Sequence, residues 1–325
     1  MNNIFKYKII SKEIAITGLQ KGVATTSIVI PETIDGMPVV EIGPEAFSFT
    51  SIMDIKIGKN IREIREKAFY MCKKLRSVTW NQKCDVVPAF CFSECSNLTK
   101  FDFSNVKKIG LYAFYKSGLQ EVCLQKNIKV LEEGTFSGCS KLQSVTWHCQ
   151  CDMIPTFCFD KCSNLTQFDF SDIKKVDRAA FYESGLKEVC LPENIEVVSG
   201  WAFFECKKLS SVIWNCKCDV IPAYCFVGCS NLTQFDFTNI KRIETRAFRG
   251  SGLTSVTLNK ETAVEQCCFV QCNDLKKVEW LSDQNIEGDI FEECKNIKEI
   301  FISDKAKNIE VSAFAFSPNA EITFV

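Results

Sequence analysis

The chain is 325 residues long and carries 39 Lys+Arg against 40 Asp+Glu, so no net field points to nucleic acid or anionic lipid. Its hydrophobic content of 46% suffices for a packed core, and 15 Gly with 8 Pro are too few for a disordered tail. A globular chain of this length divides into two or more domains unless its core grows along one axis.

The first ten residues, M-N-N-I-F-K-Y-K-I-I, interleave charged and apolar side chains and lack the continuous apolar stretch of a secretory signal. No segment approaches the roughly 18 apolar residues of a membrane span. The expectation is a chain with no standard export signal and no membrane insertion, cytoplasmic on this reading alone. Residues 1–36 carry short alternating stretches (Ile4 to Ile10, Glu13 to Thr17, Ser27 to Ile30) and an Asp35-Gly36 turn, and are expected to form an N-terminal β cap.

Residues 37–325 are expected to form a repeat solenoid. Phe47, Phe69, Phe92, Phe114, Phe136, Phe159, Phe181, Phe203, Phe226, Phe248, Phe269, Phe291 and Phe314 recur with spacings between 21 and 23. A fixed period of this length means stacked supersecondary units, none able to bury its apolar face alone. Within each rung the pattern L-x-x-V-x-(W/F/L), as in Leu75 to Trp80, has strand periodicity. A rung of 22 residues leaves no room for a sustained helix. Each rung thus gives one strand, and identical rungs in sequence pair their strands in parallel. At about 4.8 Å per strand, thirteen rungs predict roughly 60 Å of sheet.

A longer period overlies the first. Trp80, Trp147 and Trp214 are 67 apart, Trp280 follows after 66, and C-S-N-L-T-x-F-D-F occurs from Cys95, Cys162 and Cys229. A three-rung block has been copied within the chain. At the far end, the strand Glu321 to Phe324 shows no cap and offers an edge for self-association.

The 20 cysteines follow the repeat instead of a disulfide framework. Cys72, Cys95, Cys139, Cys162, Cys206, Cys229, Cys272 and Cys294 sit three residues after a ladder Phe, where other rungs hold Ser or Thr. Cys91, Cys158, Cys225 and Cys268 directly precede it, where sister rungs hold Ala. Cys84, Cys151 and Cys218 replace Ile61, Ile128 and Ile195. These fifteen are expected to be small packing residues with free thiols, which a reducing compartment suits.

The run Ile61-x-x-Ile64-x-x-x-Ala68-Phe69-x-x-Cys72-x-x-Leu75-x-x-Val78-x-Trp80 resembles, slot by slot, the BspA-type leucine-rich repeat, and the resemblance extends over roughly residues 25–325. Trp at the strand end and the wealth of Cys depart from the usual pattern. The resemblance implies a leucine-rich-repeat solenoid with one long parallel β-sheet, short irregular, 3-10 or strand segments on the opposite side, and no long helices. It also implies a cell-surface, adhesion-type role with a host or matrix protein as partner, and it carries no catalytic residues.

No cofactor or metal is expected. His148-Cys149-x-Cys151 is the one cluster of metal-type ligands, but Cys151 takes the Ile slot, and Cys216-x-Cys218 lies three strands away, about 14 Å. Cys123 and Cys190 fall at outward strand positions beside Glu121 and Glu188, which disfavours reactive thiolates. Asn97-Leu-Thr, Asn164-Leu-Thr and Asn231-Leu-Thr are glycosylation patterns that matter only in a secreted chain. The outward strand positions make the candidate protein-binding face: Thr79, Asp102, Glu121, Cys123, Thr146, Asp169, Glu188, Cys190, Asp236, Thr257 and Glu279. The leading expectation is a non-enzymatic interaction solenoid with a mildly acidic strand face; the alternative is a cytosolic scaffold or self-assembling structural protein.

Overall fold

The computed structural model describes residues 4–306 and 308–325. The chain forms two compact units, Met1–Leu165 and Thr166–Val325, and each is a solenoid of stacked parallel rungs. Among the described residues the helical content is one 3-10 turn, Val311–Phe314.

The first unit opens on an antiparallel hairpin, Phe5–Ile10 with Glu13–Leu19. Glu13–Leu19 then pairs in parallel with Met37–Ile42, and the Phe5 ring meets Phe47 edge-on at 6.4 Å. The Asp35 carboxylate accepts a hydrogen bond from the Tyr7 hydroxyl at 2.7 Å, tying the Asp35-Gly36 turn to the hairpin. The rung-to-rung ladder begins at Ser27–Val29, which pairs in parallel with Asp54–Lys56.

The ladder phenylalanines stack within each unit. Successive rings from Phe47 to Phe159 lie 5.3–5.8 Å apart, as do those from Phe181 to Phe314. Their planes are within about 21° of parallel, an offset stack that suits the ring quadrupole. The backbone around each Phe explains the regularity. Phe69 N–H donates to Cys91 O in the next rung at 3.1 Å, and Phe203 N–H to Cys225 O at 3.2 Å. From Phe47 to Phe269 the residues two before and two after each ladder Phe turn into the left-handed region, as Lys67 and Met71 do around Phe69 and Trp201 and Glu205 around Phe203. That turn presents alternate amides, such as those of Lys67, Phe69 and Met71, to the neighbouring rung, so hydrogen bonds run between rungs where no strand exists.

The pattern within a rung shows one strand; the structure has a second, two residues long, on the opposite side, as the leucine-rich-repeat resemblance implies. Val86–Val87, Lys108–Ile109 and Val130–Leu131 pair in parallel in the first unit, and Val220–Ile221, Arg242–Ile243 and Ala263–Val264 in the second. Two residues are too short to show alternation, so periodicity cannot find them.

The strand face itself is segmented. In the first unit Ser27–Val29, Asp54–Lys56 and Ser77–Thr79 form one ladder, and Glu121–Leu124 with Ser144–Trp147 another. In the second unit Glu188–Leu191 pairs with Ser211–Trp214, while Ser255–Leu258, Lys277–Trp280, Glu299–Ile302 and Glu321–Phe324 form a four-stranded ladder. The gaps fall on the F-D-F rungs. There two inward rings (Phe101 with Phe103, Phe235 with Phe237, each 4.9 Å apart) replace the Val and Leu or Trp of a regular rung. The intervening Asp side chain also bonds its own backbone, which competes with the ladder.

Eight of the fifteen slot cysteines form a donor column. Each thiol three residues after a ladder Phe donates to the carbonyl of a ladder Phe in the preceding rung, from Cys72 to Phe47 O at 3.0 Å to Cys294 to Phe269 O at 2.9 Å. Where Ser or Thr takes the slot, its hydroxyl meets the next thiol, as Ser117 meets Cys139 and Ser184 meets Cys206, both at 3.3 Å. The slot therefore selects a small donor, which its interchange with Ser and Thr already hinted. Cys151 and Cys218 depart from the expected burial: both are half-exposed, whereas Cys84 in the same slot is buried.

Candidate functional site

The strand face carries the outward residues that alternation assigns to it. In the first unit Thr79, Asp102, Glu121, Cys123 and Thr146 are all exposed, and Cys123 lies directly beside Thr146 in the ladder. In the second unit Asp169, Glu188, Cys190, Asp236 and Thr257 are exposed and Glu279 is half-buried. The acidic excess is uneven. On the first unit's two outward columns Asp54, Asp102 and Glu121 face Lys56 and Lys100. On the second, Asp169, Glu188, Asp236, Glu279, Glu299 and Glu321 face Lys277 alone.

Several of these carboxylates are engaged locally. Asp102 accepts from the Ser104 N–H and Asp169 from the Ser171 N–H, both at 2.9 Å. Asp236 accepts from the Thr238 N–H at 2.9 Å and the Thr238 hydroxyl at 2.5 Å, which hold its carboxyl below the usual range. Each Asp thus closes the turn that ends its rung, and its second oxygen remains on the exposed side. Glu279 takes Lys277 Nζ at 2.7 Å and the Thr257 hydroxyl at 2.7 Å; these bonds lower its pKa, the lysine contributing most. Lys277 also sits 5.1 Å from the centre of the Phe301 ring.

The interrupted rung at Asp236 leaves a depression in the second unit's face. It is about 450 Å³ in volume and is lined by Ser211, Thr233, Gln234, Asp236 and Ser255 over a floor of Val212 and Phe235. Small hydroxyl-bearing side chains on both sides and one carboxylate at the rim suit hydrogen bonding to a protruding polar side chain.

The remaining cysteines outside the packing slots scatter. Cys123 and Cys190 are exposed, Cys149 is buried, and Cys216 and Cys267 are half-exposed. Cys267 donates to Asp289 Oδ2 at 3.3 Å, and its thiol is raised, first by burial and then by that carboxylate. His148 is exposed at the end of its strand. Among the described residues no group of three or more His, Cys, Asp or Glu is placed to hold a metal, and no helix is long and apolar enough to cross a membrane. Asn97, Asn164 and Asn231 are all exposed.

Sequence reasoning missed two features. The strand-end tryptophans are locks: Trp80, Trp147 and Trp214 donate their indole N–H to the carbonyl four residues on, at 2.7, 2.9 and 2.8 Å, and so hold the loop that leaves the strand. The fixed Trp-x-x-x-Cys spacing was the available signal. The other is an aromatic cluster on the turn side of the second unit, where Trp201 stacks on Tyr224 at 4.4 Å and Phe204 on Tyr182 at 4.8 Å. These rings use their faces on each other, so the cluster braces neighbouring turns.

Comparison with known proteins bears on the same architecture. A family profile described as a BspA type leucine rich repeat region matches residues 20–143, 100–210, 152–276 and 220–325. Among solved structures, a leucine-rich repeat protein from Bacteroides ovatus is 20% identical with a TM-score of 0.67, covering 100% of this chain and 99% of that one. A leucine rich cell surface protein from Faecalibacterium prausnitzii is 19% identical (TM-score 0.57; 100% and 94% covered). The pneumococcal vaccine antigen PcpA is 15% identical (TM-score 0.62; 99% and 92% covered). At these identities the likeness is one of fold. No curated protein matches the chain in sequence.

Proposed function

The chain belongs to the BspA-type leucine-rich repeat family, and from that premise we propose that it is a non-enzymatic protein-binding module whose strand face takes a partner with a basic surface. The observation that carries this reading is the second unit's face, along which six carboxylates stand against one lysine, one of them, Asp236, at the rim of a groove of about 450 Å³. Carboxylates held in turns by their own backbone are pre-organised, so little is lost on ordering them when a partner arrives. Among the structural neighbours one is a cell surface protein and one a vaccine antigen, which supports a surface, adhesin-like setting with a host or matrix protein as partner. The hairpin of Phe5–Ile10 and Glu13–Leu19 serves, on this reading, as the core of a cap of residues 1–36 on the solenoid of residues 37–325.

The test follows from the geometry of the aspartates. Asp102→Asn, Asp169→Asn and Asp236→Asn together keep an oxygen that accepts the turn hydrogen bond while removing the charge. Purified protein is expected to bind host cells or matrix protein in a salt-sensitive manner, and the triple variant to bind more weakly with a shallower salt dependence. Unchanged binding and unchanged salt dependence would remove the acidic face from the reading.

A second reading rests on the strand Glu321–Phe324, on which Ile322 and Phe324 are 47% and 63% exposed. It makes the chain a self-associating scaffold through that strand. A mass that stays monomeric over a wide concentration series rules it out.

A further inference from the structure

The Cys-x-Cys turns at Cys149 and Cys216 use none of the surfaces described so far. Both follow a locking tryptophan, and in both the chain bends at the first cysteine and the residue after it, Cys149-Gln150 and Cys216-Lys217. The indole fixes the carbonyl of the second cysteine, Cys151 O at 2.9 Å from Trp147 and Cys218 O at 2.8 Å from Trp214. In the first turn Cys149 Sγ lies 4.0 Å from the Cys151 carbonyl oxygen, and in both turns the two thiols are close enough to share a hydrogen bond. The sister turn supplies an internal control. Trp80 locks Cys84 O at 2.7 Å in the same way, but Gln82 stands where Cys149 and Cys216 stand, and Cys84 is buried.

From this paired geometry we infer that Cys149–Cys151 and Cys216–Cys218 are dithiol sites, each closing a disulfide within its turn by exchange with a low-molecular-weight disulfide such as glutathione disulfide. Cys151, half-exposed where Cys149 is buried, is the attacking sulfur of the first turn, and Cys218 holds the same position in the second. The attacking thiol is lowered by the hydrogen bond from Cys149 (or Cys216), a bond that in turn holds back the proton of the donor. The thiolate attacks one sulfur of glutathione disulfide and expels a glutathione thiolate. Cys149 then loses its proton, attacks Cys151 Sγ in the mixed disulfide and expels the second glutathione. Two protein thiols are oxidised, one glutathione disulfide is reduced to two glutathiones, and the two thiol protons leave with them. Six of the eight donor-column thiols do not compete because burial pushes them up, Cys139 and Cys206 to about 12, and the other two, Cys272 and Cys294, are out of reach in the core. A bridge across a single intervening residue is strained and therefore readily reduced, as a reversible switch requires. It would stiffen the exits of Ser144–Trp147 and Ser211–Trp214, two strands of the candidate face.

The experiment equilibrates the reduced full-length chain in glutathione/glutathione disulfide buffers, quenches in acid, alkylates with N-ethylmaleimide and maps every cysteine by mass spectrometry. The expected result is loss of labelling at Cys149, Cys151, Cys216 and Cys218 together, with bridges mapped inside each turn and Cys84 unbridged. Cys149→Ser is expected to abolish the first bridge and retain the second, and Cys216→Ser the reverse, so each variant reports its own folding through the turn it keeps. Stable glutathione adducts on Cys151 and Cys218 without bridging, or bridges that join either turn to another cysteine, would overturn the inference.

Discussion

Replacing Cys206 by serine, alanine and valine separates a donor slot from a merely small one. The thiol is fully buried, donates to Phe181 O at 3.1 Å and lies 3.3 Å from the Ser184 hydroxyl, which is itself buried. Alanine removes the donor, worth about 0.5–1.5 kcal/mol, and leaves a gap the size of one heavy atom, worth roughly 0.8 kcal/mol more. The total loss is about 2 kcal/mol. Valine fills the gap but strands the Ser184 hydroxyl against a methyl group and overpacks the turn, a loss of about 2–3 kcal/mol. Serine keeps a donor of the kind that Ser117 and Ser184 already supply in this column, and is expected to lose less than about 1 kcal/mol. Urea denaturation followed by circular dichroism ranks the three, with slopes compared because a stacked protein need not unfold in one step. A serine variant less stable than the alanine variant would show that the slot wants apolar volume and that the thiol hydrogen bonds contribute nothing.

Glu94 adopts φ 60°, in a slot where Gly138, Gly228 and Gly250 serve other rungs. Glu94→Gly relieves about 1–2 kcal/mol of left-handed strain against about 0.5–1 kcal/mol of added chain entropy, so a small rise in thermal midpoint is expected; a fall would mean that neighbouring contacts already offset the strain. Phe203 is fully buried between Phe181 at 5.8 Å and Phe226 at 5.6 Å. Phe203→Ala is expected to cost about 3–5 kcal/mol, with hydrogen exchange rising first at the rungs on either side. Asp236 and Glu279 both have lowered pKa values, so their stabilisation is complete above the unfolded values near pH 4 and is lost as pH falls through the lower folded ones. Thermal midpoints measured from about pH 5 to 2 should therefore fall less for Asp236→Asn with Glu279→Gln than for the parent chain; equal slopes would contradict the assignment.

The fold was legible because a solenoid repeats its instructions. One Phe every 21 to 23 residues names the stack, and Val with the residue two further on names the inward face. What stayed hidden lies at scales that periodicity does not sample. The second strands are two residues long, and the turn ladder around each Phe depends on left-handed residues as varied as Lys67, Trp201 and Arg246, whose types give no warning. The breaks at F-D-F were written in the chain three times, but an inward-outward-inward triplet satisfies strand alternation. Only packed rings 4.9 Å apart show that the rung cannot also keep its ladder.

The candidate site was legible as a face but not as a place. Alternation assigns every outward residue to the same side, and a copied block makes most of that face repeat itself: Asp102, Asp169 and Asp236, then Cys123 and Cys190, then Thr79 and Thr146. A surface that repeats can hold a partner in several registers, so it does not by itself select one. Selection needs residues that break the copy. They stand in the second unit, where Ile213 replaces the threonine of its sisters and is 48% exposed, Thr257 replaces the cysteine, and Glu279 enters with its lysine. Ile213 and Thr257 belong to the strands on either side of the Asp236 groove, Ser211–Trp214 and Ser255–Leu258. Under the proposed reading the repeated aspartates draw a basic partner to the face, and these departures fix where on it the partner stops. Ile213→Thr with Thr257→Cys, which restores the internal copy, is therefore expected to leave the salt dependence of binding intact while weakening affinity; a variant that loses salt dependence instead would assign both tasks to the same residues.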